Sequence, residues 1–324
     1  MSQFSCGAVV IGRNEGKRLI SCIDSLSDFK QVIYVDSGST DGSVDVAQAR
    51  RARVLALDMS LPFTAARARN EGLELLRRSL PGVEFVQFID GDCELRSGWL
   101  EDALETMFSR PLAGVVCGRR RERFPEASVY NAQCDREWNT PIGLARSCGG
   151  DALMRMDALD EVGGYDPTMI AGEEPELCVR LRAKGWEIHR IDVEMTWHDA
   201  AIFRFGQFWK RARRAGHAYA EGAYLHGAPP ERHNVAQVRR ALFWGMAMPL
   251  VLMASLLAIG LWSLLLIGIY PLQVMRLAKR KGGRRDAWEE ALLLTVAKFA
   301  ESQGILEFYL RQLSGRRSKL IEYK

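Results

Sequence analysis

Short apolar runs and polar loops follow one another in regular order along the first two hundred residues. Runs at 7–11, 32–35, 54–57 and 85–89 each end in a polar loop, and apolar runs this short predict buried strands. Between them the apolar positions recur at helical spacing. Leu19, Ile20, Ile23 and Leu26 predict a helix over 17–26. The small polar loop 37–43 caps a helix running to about Arg50, and 63–80 predicts a third helix stopped by Pro81-Gly82. Strands alternating with helices imply parallel β-α units and an α/β fold with a doubly wound sheet. No G-x-G-x-x-G follows the first strand, so a dinucleotide-binding version of such a sheet lacks its main signal. Further on, 115–118, 186–191 and 195–199 predict strands, and Pro175 suits the first turn of a helix ending at Gly185. The charge run 119–123 reads as a solvated strand end or loop.

The pattern changes in the last third. From Ala241 to Met275 the chain carries no charged residue, and Arg276, Lys279, Arg280, Lys281, Arg284 and Arg285 follow. As one helix this stretch would be roughly 50 Å long at 1.5 Å per residue, against a hydrocarbon core of ~30 Å. Pro249, Gly260 and Pro271 offer places to bend. A hairpin turning near Gly260 is expected, with basic residues flanking both ends on the cytoplasmic side. A re-entrant pair, a single tilted span and a soluble core pair are the alternatives. Residues 286–313 have amphipathic helical character. The expected division is a catalytic domain over 1–225 and a C-terminal helical, membrane-associated region over 226–324.

Composition adds limits. A hydrophobic fraction of 48% and a charged fraction of 26% over 324 residues are those of a globular protein. The seven cysteines are scattered and lack C-x-x-C spacing, which fits a reducing compartment and argues against a zinc site. Residues 1–6 have neither a basic nor a long apolar segment, so a secretory signal is not expected. The stretch 205–219 mixes aromatics with Lys210, Arg211, Arg213 and Arg214, suiting a phosphate or an anionic membrane surface. No nucleic-acid motif accompanies it, and no nucleic acid is expected as a partner.

The candidate chemistry centres on Asp90-Gly91-Asp92, at the end of the fourth strand. Ligands of open α/β sheets sit at the carboxyl ends of strands. Two carboxylates this close repel unless a cation lies between them, and hard oxygen ligands suit Mg²⁺ or Mn²⁺. Gly91 lets the backbone approach a ligand closely. An ordinary acidic turn would have the same sequence. Asp36 ends the second strand, where it can accept from a ribose or base or simply open a turn. Arg67, in the following helix, is a candidate for phosphate.

Four motifs in order then resemble family 2 inverting glycosyltransferases of the GT-A fold. They are Asn14-Glu15, the loop from Val35-Asp36 through Ser39, Asp41 and Ser43, Ala68-Arg69-Asn70-Glu71-Gly72, and Asp90-Gly91-Asp92. The resemblance implies a Rossmann-like mixed sheet and a nucleoside diphosphate sugar donor. It implies that Asp36 binds the nucleoside and that Asp90 and Asp92 flank the diphosphate and its Mg²⁺ or Mn²⁺. Asn14, Glu15, Ser39, Asp41, Arg67, Asn70 and Gly91 complete the expected donor site.

The segment Ser147-Cys148-Gly149-Gly150-Asp151 resembles the family's lining of the acceptor side. Glu173 and Glu174 resemble its Glu-Asp motif, whose second acid is the catalytic base. That position is Glu174 here, where the family usually has Asp, and the extra methylene moves the carboxylate by roughly 1.5 Å. Glu173 is the rival. His198 falls where the family places a histidine near diphosphate and metal. The expected protein is an inner-membrane, cytoplasm-facing, metal-dependent inverting transferase with a lipid-linked or cell-envelope glycan acceptor. A nucleotidyltransferase and a non-catalytic membrane scaffold are the rivals.

Overall fold

A computed structural model describes residues 5–315. The extreme N-terminus and the C-terminal stretch 316–324, on which expectations were also placed, lie outside the described residues. The chain divides into two compact units, Met1–Ala201 and Ile202–Lys324.

The first unit is built on a nine-stranded sheet. In chain order its strands are β1 (Cys6–Gly12), β2 (Gln31–Asp36), β3 (Arg53–Ala56), β4 (Phe85–Asp90), β5 (Cys93–Leu95), β6 (Ala113–Glu122), β7 (Gly143–Ala145), β8 (Ala152–Arg155) and β9 (Glu187–His198). The spatial order is β3-β2-β1-β4-β8-β6-β9-β5, with β7 also on β9. Strands β3, β2, β1 and β4 are parallel, while β8 is antiparallel to both β4 and β6, so the sheet is mixed. Gly12 pairs with Asp36 and Ile11 with Asp90. This register brings the carboxyl ends of β1, β2 and β4, and both predicted aspartates, to one edge.

Helices α1 (Lys17–Asp24), α2 (Ser43–Ala49), α3 (Ala65–Ser79), α4 (Trp99–Ser109), α5 (Val129–Glu137), α6 (Met156–Val162) and α7 (Glu173–Ala183) complete this unit. Thr64 caps α3 by accepting from the Arg67 amide. Gly72 lets α3 lie close to the sheet: a Cβ there would stand 2.5 Å from Val9 Cγ1 and 2.7 Å from Val35 Cγ2. Two expectations change. The strands predicted at 186–191 and 195–199 are one twelve-residue strand, β9. The charge run is not a solvated end, because β6 continues through Glu122 with Arg119 and Glu122 buried. Charge pairing makes that burial tolerable: Arg119 meets Asp135 at 2.9 Å.

The second unit is helical: α8 (Phe205–His226), α9 (Val235–Leu242), α10 (Met248–Ile259), α11 (Ile269–Arg280) and α12 (Arg285–Leu313). Helix α8, expected to close the first domain, instead packs along α12 and falls in this unit. A Cβ at Gly216 of α8 would overlap the backbone of α12, and one at Gly304 of α12 would overlap that of α8. Among the described residues, two segments, Val235–Ala258 and Gly260–Arg280, are long and apolar enough to cross a membrane. The chain reverses at Gly260, whose φ of 59° suits glycine. Tyr270 Oη then donates to the Trp244 carbonyl at 2.9 Å, closing the hairpin. Its apolar faces are exposed, with Leu257 at 91% and Leu261 at 77%.

Candidate active site

The loops at the ends of β1 and β2 are tied to each other by the predicted donor-site residues. The Asn14 amide donates to Ser39 Oγ at 2.9 Å, and Asn14 Oδ1 accepts from the Thr40 amide at 2.7 Å. Asp41 accepts from the amides of Gly16 and Ser43 and from Ser43 Oγ. The Ser43 hydroxyl above all holds its carboxyl below the usual range. Asp36 is turned into its own loop, accepting from Tyr34 Oη at 2.9 Å and from the amides of Gly38 and Ser39 at 3.0 and 2.9 Å. Gly91 donates its amide to Ile11 at 2.8 Å, and a Cβ there would stand 3.1 Å from Glu15 Cγ. Glu15 therefore lies against the Asp90–Asp92 turn, paired with Arg18 at 2.8 Å.

Helix α3 supplies the central cation, and it is Arg69 rather than Arg67. Arg67 donates to the Asp58 carbonyl at 2.8 Å and lies 3.8 Å from Glu71. Arg69 is 3% exposed and bridges Asp90 at 2.9 Å, Glu173 at 3.0 Å and Glu174 at 2.9 Å. The signal for it was in the sequence. Arg69 shares a helix face with Gly72, Leu73 and Leu76 at three-, four- and seven-residue spacing, whereas Arg67 lies roughly 200° away around the helix. Asn70 holds both main-chain groups of Tyr165, donating to its carbonyl at 2.8 Å and accepting from its amide at 2.9 Å. The Tyr165 ring carries the Arg69 guanidinium at 5.6 Å. Asn70 thus supports Arg69 through Tyr165.

The other side of the site comes from β6, β8 and β9. Arg120 reaches Asp90 at 3.1 Å and Asp151 at 2.8 Å. Asp151 is buried and also accepts from the Asp90 amide and Thr196 Oγ1. Burial opposes the charge on Asp90, but Arg69 and Arg120 hold its carboxyl well below the usual range. The trio Asp90, Cys93 and Asp151 has metal-like spacing, yet Arg120 already spans its two carboxylates. The trio Asp92, Cys93 and His198 is the better cation site. Its ligand atoms lie within 4.8 Å of one another, with His198 Nε2 3.4 Å from Asp92 Oδ2. Burial lowers the His198 pKa, with Arg120 adding to the effect and Glu122 opposing it, which favours the neutral, ligating imidazole. A carboxylate oxygen beside a neutral imidazole suits Mn²⁺ or Mg²⁺. Burial also pushes the Cys93 thiol far up, keeping it a neutral S–H.

Glu173 and Glu174 open α7 after Gly172, which has a φ of 82°. Burial, then the Glu173 charge, raise the Glu174 pKa from 4.5 to about 7, with Arg69 opposing. Arg120, Glu122 and Trp138 were not among the site residues expected from the sequence, and Asp151 was expected only as part of the segment lining the acceptor side. The period-two spacing of Arg120 and Glu122 was their one local signal. Trp138 puts its ring 5.3 Å under Arg120 and 4.7 Å from His198.

The glycosyl transferase family 2 model matches residues 8–163. That segment is a family 2 glycosyl transferase domain. Succinoglycan biosynthesis protein ExoA of Rhizobium meliloti (strain 1021) is 25% identical over 254 residues, covering 74% of each chain. A pre-mycofactocin glycosyltransferase of Mycobacterium tuberculosis is 25% identical over 202 residues, which are 59% of this chain and 42% of that protein. Among solved structures, the mannosyltransferase PcManGT from Pyrobaculum calidifontis, in complex with GDP-Man and Mn²⁺, superposes with a TM-score of 0.65. It is 18% identical and covers 94% of this chain and 88% of that one. Glucosyl-3-phosphoglycerate synthase from M. tuberculosis, in complex with Mg²⁺ and UDP, gives a TM-score of 0.51 at 18% identity, over 70% and 81% of the two chains. The first unit of this chain has the GT-A fold.

Proposed function

We propose that this glycosyltransferase moves a sugar from a nucleoside diphosphate sugar to an acceptor hydroxyl with inversion at the anomeric carbon. The observation that carries the reading is Arg69, which links a depressed Asp90 on one side to an elevated Glu174 on the other. A general base works best with a pKa near the working pH, and Glu174, at about 7, meets that condition. Glu174 takes the acceptor proton, and the acceptor oxygen attacks the face opposite the leaving diphosphate. Asp92 and His198 would hold Mg²⁺ or Mn²⁺, which when bound neutralises charge on that diphosphate. Asp36 and the knitted loops of Asn14, Ser39 and Asp41 form the nucleoside side, and Arg120 and Asp90 border the phosphates.

The exposed apolar hairpin and the basic run after Met275 favour a membrane-attached enzyme with the catalytic unit and the C-terminal tail on the cytoplasmic side of the inner membrane. The apolar hairpin also favours a lipid-linked or cell-envelope glycan acceptor. ExoA, a succinoglycan biosynthesis protein, is consistent with that class. The test is a screen of nucleoside diphosphate sugars with and without Mn²⁺, read as nucleoside diphosphate release and anomeric configuration. Metal-dependent release with inversion is expected, and Asp92→Ala should abolish it. Release of inorganic diphosphate, or full turnover by Asp92→Ala, would overturn the reading.

A further inference from the structure

Glu122 ends β6 and is 1% exposed. The parallel pairing of β6 with β9 sets it directly beside His198, while β5 sets Cys93 on the other side. Glu122 Oε1 accepts from the Phe124 amide at 3.1 Å and from Asn131 Nδ2 at 3.3 Å. Its Oε2 accepts from the Ala200 amide at 2.9 Å. Oε2 also lies 3.7 Å from His198 Nδ1, while His198 Nε2 faces Asp92 at 3.4 Å. Nδ1 is buried and makes no hydrogen bond at that distance.

Each of those three groups is a donor, so the pocket calls for acceptors on both Glu122 oxygens. A lone pair on Nδ1 would point at carboxylate oxygen and be repelled, whereas an N–H there is attracted. Trp138, edge-on to the imidazole at 4.7 Å, hinders the ring from turning over. We propose that Glu122 is a positioning residue: it keeps the His198 proton on Nδ1 and thereby aims the Nε2 lone pair at the cation site beside Asp92. A small tilt of the ring closes the gap to Glu122 into a hydrogen bond. Carboxylates behind ligating histidines fix their tautomer and orientation in this way. The proposal rests on the metal-dependent reading above and adds a residue that contacts neither metal nor substrate.

The test uses the full chain in detergent. In ¹⁵N-histidine spectra of the Mg²⁺-loaded protein, the His198 signal, assigned by its loss in His198→Ala, should report a proton on Nδ1. In Mn²⁺ titrations, Glu122→Gln should bind about 10- to 100-fold more weakly. The nitrogen coupling that pulsed EPR shows for the wild type, and that His198→Ala removes, should be reduced. Thermal unfolding and far-UV circular dichroism check that the variant is folded. A proton on Nε2 in the loaded wild type overturns the proposal, and so does wild-type affinity with unchanged coupling in Glu122→Gln. If the wild type binds no Mn²⁺, or binds it without nitrogen coupling, the metal assignment itself falls and takes the proposal with it. Should Glu122→Gln not fold, the wild-type tautomer decides alone.

Discussion

Replacing Glu174 by Gln should disable the enzyme and stabilise it at the same time. In the fold the Glu174 pKa stands at about 7 instead of 4.5. Between those values the native protein binds more protons than the unfolded chain. The stability this group contributes therefore falls as pH rises through that window. At about 1.36 kcal/mol per unit, ionised Glu174 costs the fold on the order of 3 kcal/mol above pH 7. Its side chain is only 12% exposed, so solvent screening reduces this little. Glutamine carries no charge, and Arg69 keeps Asp90 and Glu173 as partners. Glu174→Gln should thus melt several degrees higher than wild type at about pH 8, with the gain gone by about pH 4. Turnover should drop by roughly 10²–10⁴-fold, since the amide cannot take a proton, while donor affinity is kept. The assay is thermal unfolding by tryptophan fluorescence at a series of pH values, beside product formation. Equal melting temperatures across that range, or a gain that does not vary with pH, would refute the electrostatic argument. Loss of transfer in Glu173→Gln but not in Glu174→Gln would move the base by one residue.

Arg69→Met leaves three carboxylates around an uncharged side chain and should cost roughly 3–5 kcal/mol; with the cation gone, the acid limb of kcat/KM should move to higher pH, and an unmoved limb would count against Arg69 opposing the rise in Glu174. Asn70→Ala strips both hydrogen bonds from the Tyr165 main chain and should cost about 1–3 kcal/mol. Its effect should appear in melting temperature and kcat, and a selective loss of donor affinity would instead restore Asn70 to the donor site. The hairpin predicts that the protein stays in the membrane fraction after a high-salt wash and that a reporter fused after Lys324 is cytoplasmic; a periplasmic signal would mean a single tilted span, and release by salt a peripheral protein.

The sequence by itself determined the parts governed by local rules. Short continuous apolar runs and helical spacing placed β1, β2, β4 and α3, and glycine and proline marked their ends. The small polar loop 37–43 and Asp90-Gly91-Asp92 were legible because each loop's chemistry lies within a few consecutive residues. The turn at Gly260 followed from counting an apolar run against the thickness of a bilayer. The tertiary structure decided which side chains meet. Glu122 and His198 are neighbours only because β6 pairs with β9, a long-range pairing whose register no local pattern fixes. The charge run at 119–122 looked solvated because burial is a property of what packs over a strand, and Asp135, Asp151 and Trp138 all arrive from later segments. Arg69 lay on the visible apolar face of α3, but its three acids come from two other elements. Such a cluster is set by long-range sheet order and helix packing, which bring together residues that share no local signal.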